Sequence, residues 1–493
     1  MKKTIFIKNA AIMTATGTIL RVLGIFFKVW LASSIGSEGI GLYHLVFSVY
    51  TLVATFAASG ITVAVTRLCV TEFALGNREG LYKILRRSLT LSLGIAFITF
   101  IILLFGSGFI AEKLLSDSRA AFSICVFAFS LPFMAVSCVL KGYFAARRNA
   151  TVNSSAVLIE QAVRIGLCII LVNKFSRYGI GGGVAAVMAG DTIAEIVSLL
   201  YTYICYRFDL RRTRFEGNSE QFSGYRQLLH IASPITAGRY FTTVLRTIEN
   251  IIMPKALSKA SFSYSAALSA FGALKGMALP VLFFPSSILN AFSSLLIPEM
   301  SEAMVLKNPK IIKNNTEKVL GATWLMGVVF GCLFFVSGER LGRFIYSDSD
   351  SGYFIKLLSP LVPLMYLDSI SDGILKGLDR QVFAFKGALI DSLSRIVLIY
   401  IFVPRYSITA FIYIMYISNL LTFSLNVGKL LSVTGIKPRF FRTILLPVLL
   451  GVGFATLFSS IFSFIQGDFL YLAALYSTTL VSYGTTVLLG TRV

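Results

Sequence analysis

The chain has 493 residues, is 56% hydrophobic and 14% charged, and carries a formal net charge of +22 with a mean hydropathy of +0.78. A soluble domain carries about 25% charged residues, whereas here apolar runs of 20 or more residues follow one another from end to end. That pattern excludes a soluble enzyme, and because the runs do not alternate with period two it also excludes a transmembrane β-barrel.

The first run, 8–33, follows Met1-Lys2-Lys3 but is too long and too charged, with Arg21 and Lys28 inside it, for a signal peptide. Further spans are expected at 41–66, 88–110, 120–146, 153–174 and 180–206. A basic linker at 207–227 precedes spans at 228–252, 266–297, 319–338, 354–378, 384–404 and 409–431, and two more close the chain at 442–465 and 469–490. The expected fold is therefore all-α, a polytopic membrane protein of about 14 transmembrane helices.

Lysine and arginine set the orientation. The ends and loops on the N-terminal side hold 28 of them, including Arg67, Arg86, Arg87, Lys141, Arg147, Arg148, Arg214, Lys307, Lys437, Arg439 and Arg492, against 10 on the other side. This bias places both termini in the cytoplasm of a multi-pass protein of the cytoplasmic membrane. It also accounts for the net charge without a nucleic-acid partner. The six cysteines lie in or beside apolar runs without metal-ligand spacing, and with only His44 and His230 no metal site is expected.

An internal repeat appears at an offset of 231. Pro132 matches Pro363, Gly142 matches Gly373, Leu158-Ile159 matches Leu389-Ile390, Glu160 faces Asp391, and Arg164-Ile165 matches Arg395-Ile396. Ionisable residues are rare at membrane depth, so the charged matches carry the inference. Leu20-Arg21 against Leu245-Arg246 is a weaker echo. The expected organisation is an N-terminal six-helix lobe at 1–206, a cytoplasmic linker at 207–227, a second six-helix lobe at 228–432, and additional helices at 433–493. Two such lobes, related by an axis along the membrane normal, are typical of transporters that hold substrate midway between them.

Thirteen charges lie at membrane depth: Arg21, Lys28, Arg164, Arg239, Arg246, Lys275, Arg395, Glu160, Asp191, Glu195, Glu249, Asp368 and Asp391. Each costs about 2.5–3.5 kcal/mol on the insertion scale, so they are expected to face protein or a watery cavity. Glu160 with Arg164 and Asp391 with Arg395 are spaced to pair within one helix. Arg21 and Lys28, seven apart, share a face of a span that bears no acid. A cationic stripe of that kind suits a phosphate or pyrophosphate; snorkelling to the interface is the bland reading of Lys28. Arg246 and Lys275 are further candidates for a cationic substrate cavity, while Asp191, Glu195 and Asp368 are candidates for binding H+ or Na+. Gly272, Gly276, Pro280 and Pro285 predict a break in the eighth span.

Several motifs together resemble the stage V sporulation protein B family. They are Arg21-Val22-Leu23-Gly24, Gly36-Ser37-Glu38-Gly39-Ile40-Gly41-Leu42-Tyr43, Thr66-Arg67-Leu68 with Glu72 and Gly76-Asn77, and Lys141-Gly142-Tyr143-Phe144 with Glu160-Gln161 and Arg164. They continue with Gly276-Met277-Ala278-Leu279-Pro280, Phe284-Pro285-Ser286 and Leu296-Ile297-Pro298-Glu299-Met300-Ser301-Glu302-Ala303. The chain departs from that pattern at Ile61-Thr62-Val63-Ala64, which lacks a proline, and at Glu299, where a small residue is common. The resemblance places the chain in the superfamily of polysaccharide exporters, lipid II flippases, and multidrug and toxin extrusion transporters. It implies alternating access and movement of a lipid-linked oligosaccharide, with Arg21 and Lys28 in the position of the first-helix cations that engage pyrophosphate.

The expected function is thus a flippase for a polyprenyl-pyrophosphate-linked envelope precursor, without a cofactor and driven by H+, Na+ or the membrane potential. Its partners would be the lipid-linked saccharide, the bilayer and proteins of envelope synthesis. No GxxxxGK[ST] motif for direct ATP drive occurs. The alternatives are a cation-coupled multidrug exporter, which wants a more acidic cavity; a membrane enzyme, which wants a larger external loop; and a non-transporting scaffold in envelope or spore cortex assembly.

Overall fold

The computed structural model describes residues 2–212, 224–260, 263–289, 299–300, 302–304, 306, 308–436 and 440–491. The middle of the expected linker, 213–223, lies outside the described residues, as do Leu296-Ile297-Pro298, Ser301, Arg214, Lys307, Lys437, Arg439 and Arg492. Among the described residues there is no strand. Among the described residues nine helices are long and apolar enough to cross a membrane, and the pair Ala120–Ala128 and Ser130–Ala146, bent by 41°, brings the number to ten if it is one span. The chain is a polytopic all-α membrane protein.

Two of those nine helices are too long for one crossing. The apolar helix Ala11–Leu75 has 65 residues, about 98 Å at 1.5 Å per residue against a hydrocarbon core of about 30 Å. It belongs to α1 (Lys2–Leu75), whose helical path is broken at Gly36 (φ 70, ψ 176). Likewise α13 (Gln381–Thr434) is broken at Ser407 (φ 58, ψ −148). Each therefore holds two spans. The sequence suggests loops at 34–40 and 405–408, but a single non-helical residue makes each turn.

The chain packs as two compact units, residues 1–251 and 252–493. The first contains α1, α2 (Arg78–Phe109), α3 (Ala120–Ala128), α4 (Ser130–Ala146), α5 (Ala150–Phe175), α6 (Ile180–Arg212) and most of α7 (Tyr225–Ser258). Ile61, Val65, Leu68, Ile84, Val139, Tyr143 and Phe144 are among the side chains of its core. Where α1 crosses α4, a Cβ on Gly142 would stand 2.9 Å from the Thr62 carbonyl oxygen. The Thr62 and Thr66 hydroxyls donate to the carbonyls of Cys138 and Gly142, each at 3.2 Å. Small residues and hydroxyls at a close crossing are how helices associate where apolar burial gives little preference for protein over lipid. Helix α7 lies along the second arm of α1: Thr247 donates to the Ser48 carbonyl (3.2 Å), and the Asn250 amide donates to the Ser48 hydroxyl (2.9 Å). With Arg226, Arg239, Arg246, Glu249 and Lys255 along it, α7 is long enough to span but is not one of the nine apolar helices.

The second unit contains α8 (Tyr264–Phe271), a π-helical turn at Gly272–Ala278, α9 (Leu279–Phe283), α10 (Pro309–Tyr346), α11 (Ser349–Leu358), α12 (Val362–Gly377), α13, α14 (Leu446–Ile461) and α15 (Asp468–Thr491). Helix α10 packs against α11, α12, α14 and α15. It approaches α11 closely at Gly342, where a Cβ would collide with the Gly352 backbone. In the expected eighth span the π-helical turn precedes Pro280, and residues 284–285 form a turn at Pro285. Carbonyls in this segment find partners elsewhere in the unit. The Tyr346 hydroxyl donates to Met277 O (3.1 Å), and the Tyr366 hydroxyl donates to Leu282 O (2.6 Å).

Candidate functional site

The sequence-nominated charges fall into three groups. The first is a polar cluster inside the first unit. Glu160 and Arg164 sit one turn apart on α5, and the Arg164 Nη2–Glu160 Oε1 distance is 3.1 Å. Arg164 Nε also reaches Asp191 Oδ1 on α6 at 2.7 Å, and Nη1 donates to Gln161 Oε1 at 3.2 Å. From α4, Lys141 Nζ approaches Glu160 Oε2 at 3.5 Å. Glu195, one turn beyond Asp191 on α6, is 7% exposed, and its Oε1 has no hydrogen-bond partner among the described residues. Three carboxylates thus share two cations, Arg164 and Lys141, inside the first unit.

Asp191 has no basic residue on its own helix within a turn, and its partner lies across the α5–α6 packing interface. Lys141 is assigned to a cytoplasmic loop by charge counting; it lies on α4, where its ammonium meets Glu160 of α5. Its place in the motif Lys141-Gly142-Tyr143-Phe144 was the available signal.

The second group repeats part of this arrangement in the second unit. Arg395 Nη2 stands 2.6 Å from Asp391 Oδ2, again one turn apart, and the Ser418 hydroxyl donates to Asp391 Oδ1. Asp391 is 6% exposed. Asp368 on α12 accepts from the Asn426 amide at 2.8 Å. The offset of 231 therefore carries a geometry as well as a sequence match: both units close a carboxylate–arginine pair at corresponding positions of α5 and α13.

The third group is cationic. Arg21 and Lys28 lie on the first arm of α1, both exposed although the arm is of spanning hydropathy. Arg246 on α7 is exposed, while Glu249, three residues on, is buried. Lys275, in the second unit, sits within the π-helical turn, and its ammonium lies 5.7 Å from the centre of the Phe411 ring, within cation–π range. Arg21 and Lys28 share a face by their spacing.

Residues 6–304 match the family of polysaccharide biosynthesis proteins. The chain belongs to that family. Among its relatives, stage V sporulation protein B of Bacillus subtilis (strain 168) is 29% identical over 412 residues, covering 83% of this chain and 80% of the relative. Lipid II flippase MurJ of the same organism is 22% identical over 423 residues, covering 80% of this chain and 76% of the relative. The solved structure of lipid II flippase MurJ in an inward closed conformation superposes with a TM-score of 0.73 at 15% identity, covering 96% of this chain and 98% of that one. The fold of this family member is that of the multidrug/oligosaccharidyl-lipid/polysaccharide exporter superfamily, and the protein is a multi-pass protein of the cytoplasmic membrane.

Proposed function

We propose that this polysaccharide biosynthesis family member is an alternating-access flippase. Its substrate is a polyprenyl-pyrophosphate-linked oligosaccharide, a peptidoglycan or other envelope precursor, moved across the cytoplasmic membrane. The observation that carries this reading is the pair Arg21 and Lys28: two accessible cations on one face of a spanning arm that holds no acid. A pyrophosphate accepts several charge-assisted hydrogen bonds, and a guanidinium paired with an ammonium matches its charge. Lys275 and Arg246 are secondary contacts in this reading. The relative named as a lipid II flippase supports the substrate class.

The lipid tail needs an apolar seat. The second unit supplies a cavity of about 430 Å³ lined by Trp324, Val328 and Phe335 of α10 and by Val448, Val452 and Ala455 of α14. Within the proposal, Glu195, Asp191 and Asp368 bind the coupling H+ or Na+. Glu195 is the strongest of the three, since Asp191 is occupied by Arg164 and Asp368 by Asn426. The excess of carboxylates in the first unit's cluster favours, as a second reading, a cation-coupled exporter of cationic compounds.

The deciding experiment follows fluorescent lipid II across proteoliposome membranes, with wild type and Arg21→Ala in parallel and a cationic dye as the competing cargo. Lipid II movement by wild type, lost in a folded Arg21→Ala variant, is the expected result. Dye transport without lipid II movement moves the assignment to the exporter. Movement of neither by folded protein, with or without an ion gradient, leaves the scaffold.

A further inference from the structure

The first unit holds a second basic site, away from the stripe on α1. A cavity of about 490 Å³ lies between the start of α2 and the end of α6. Arg78, Lys83 and Arg86 line it, and among the described residues Glu79 is the one acid in its wall. Glu79 reaches Lys83 at 3.9 Å with side chains 74% and 43% exposed, a surface pair that neutralises little. Arg78 and Arg86 are exposed and form no ion pair among the described residues. The cavity therefore has a net positive wall over an apolar floor that includes Leu85 and Leu210.

Its depth can be read along α2. The apolar stretch of that helix opens near residue 88. Arg86, Lys83 and Arg78 precede this point by about 3, 8 and 15 Å at 1.5 Å per residue. The headgroup layer on each side of the hydrocarbon core is about 5–8 Å thick. Lys83 and Arg86 thus lie in the headgroup layer, and the backbone of Arg78 lies about 7–10 Å beyond it on the aqueous side. Tyr82 and Tyr206 flank them, as aromatic residues do at a membrane interface. The wall is also held in place: Asn77 Oδ1 accepts from the Gly80 amide at 3.1 Å, and its Nδ2 donates to the buried Glu72 carboxylate at 2.7 Å.

We propose that this cavity seats the phosphodiester headgroup of an anionic membrane phospholipid. Arg86 and Lys83 hold the phosphate, Arg78 adds long-range attraction from the aqueous side, and the glycerol backbone lies over Leu85 and Leu210. Basic pockets between spanning helices on the cytoplasmic side are suited to such headgroups. A soluble phosphate would gain nothing from the apolar floor. The site is independent of the transport reading, because its ligand stays in one leaflet.

The test uses the full-length protein in phosphatidylcholine nanodiscs and measures retention of a fluorescent phosphatidylglycerol. Removing two cations in Lys83→Gln/Arg86→Gln should weaken binding on the order of 10- to 30-fold. Arg86→Lys, which keeps the charge and loses the bidentate fork, should cost only a few-fold. Lys113→Gln, on the opposite side of the membrane, should bind as wild type does. Unchanged thermal unfolding of the double variant in phosphatidylcholine alone establishes that it folds. Equal retention of phosphatidylglycerol by wild type and double variant overturns the proposal, as does equal retention of labelled phosphatidylcholine and phosphatidylglycerol by wild type. Displacement of the lipid by excess glycerol phosphate would assign the site to a soluble anion instead.

Discussion

Arg164 Nε stands 2.7 Å from Asp191 Oδ1, so one guanidinium ties α5 to α6 while its Nη2 holds Glu160 on its own helix at 3.1 Å. Removing this cation leaves two carboxylates, with Glu195 beside them, short of counter-charge in a low-dielectric interior. Arg164→Gln should therefore destabilise the protein by about 3–5 kcal/mol. Adding Asp191→Asn should recover part of that loss. Thermal unfolding in detergent, followed by circular dichroism, measures both. A single variant as stable as wild type would mean that the carboxylates are solvated.

Lys28 should matter through its charge. In the lipid II assay, Lys28→Arg should retain most transport. Lys28→Gln, which loses a charge-assisted contact of about 1.5–3 kcal/mol, should lose on the order of 10- to 100-fold in kcat/KM. Equal activity of the two variants would assign Lys28 to the interface rather than to the substrate.

Glu195→Gln should abolish the response of transport to an imposed H+ or Na+ gradient while leaving any gradient-independent exchange in place. The amide keeps the shape but cannot ionise. A variant that still responds fully to both gradients removes Glu195 from coupling and points to Asp368.

Gly342 permits a close approach of α10 to α11. Gly342→Ala would push a methyl into the Gly352 backbone, where only backbone can give way. The expected loss is about 1–3 kcal/mol, read as a lowered unfolding temperature. Gly453→Ala, where a Cβ meets nothing within 4 Å, is the control.

The turn at Ser407 (φ 58, ψ −148) uses a conformation that suits glycine and costs other residues about 1–3 kcal/mol. Ser407→Gly should therefore stabilise the protein. The corresponding residue in the first long helix is already glycine, Gly36 (φ 70, ψ 176), and Gly36→Ala should destabilise by a similar amount. Opposite shifts in unfolding temperature are expected; shifts of the same sign would mean that the turns relax.

The crossings, their order and the pairs Glu160–Arg164 and Asp391–Arg395 were legible because they follow from local quantities, apolar run length and the 3.6-residue period. The partner of Asp191 was not. It depends on which faces of α5 and α6 meet, and nothing within one turn of Asp191 specifies Arg164. The contact of Lys141 with Glu160 is illegible for a related reason: it depends on how α4 packs against α5. The tyrosine hydroxyls of Tyr346 and Tyr366 that donate to the carbonyls of Met277 and Leu282 come from residues 60 to 90 positions away, beyond any local pattern. Turns at 34–40 and 405–408 were expected as loops because polar or charged residues gather there, yet one left-handed residue suffices at each.

Those single-residue turns constrain biosynthesis. A helical arm that reverses through Gly36 or Ser407 leaves almost no hydrophilic chain to be exported between its two crossings. Each pair is thus built to enter the bilayer together, as a hairpin. The first arm, which bears Arg21 and Lys28 at about 2.5–3.5 kcal/mol apiece on the insertion scale, would thereby be carried in with the second arm, which bears no lysine or arginine between Gly36 and Thr66. The segment least able to enter the membrane alone is the one whose charges the proposed transport requires, and its covalent neighbour resolves that conflict before the protein has folded.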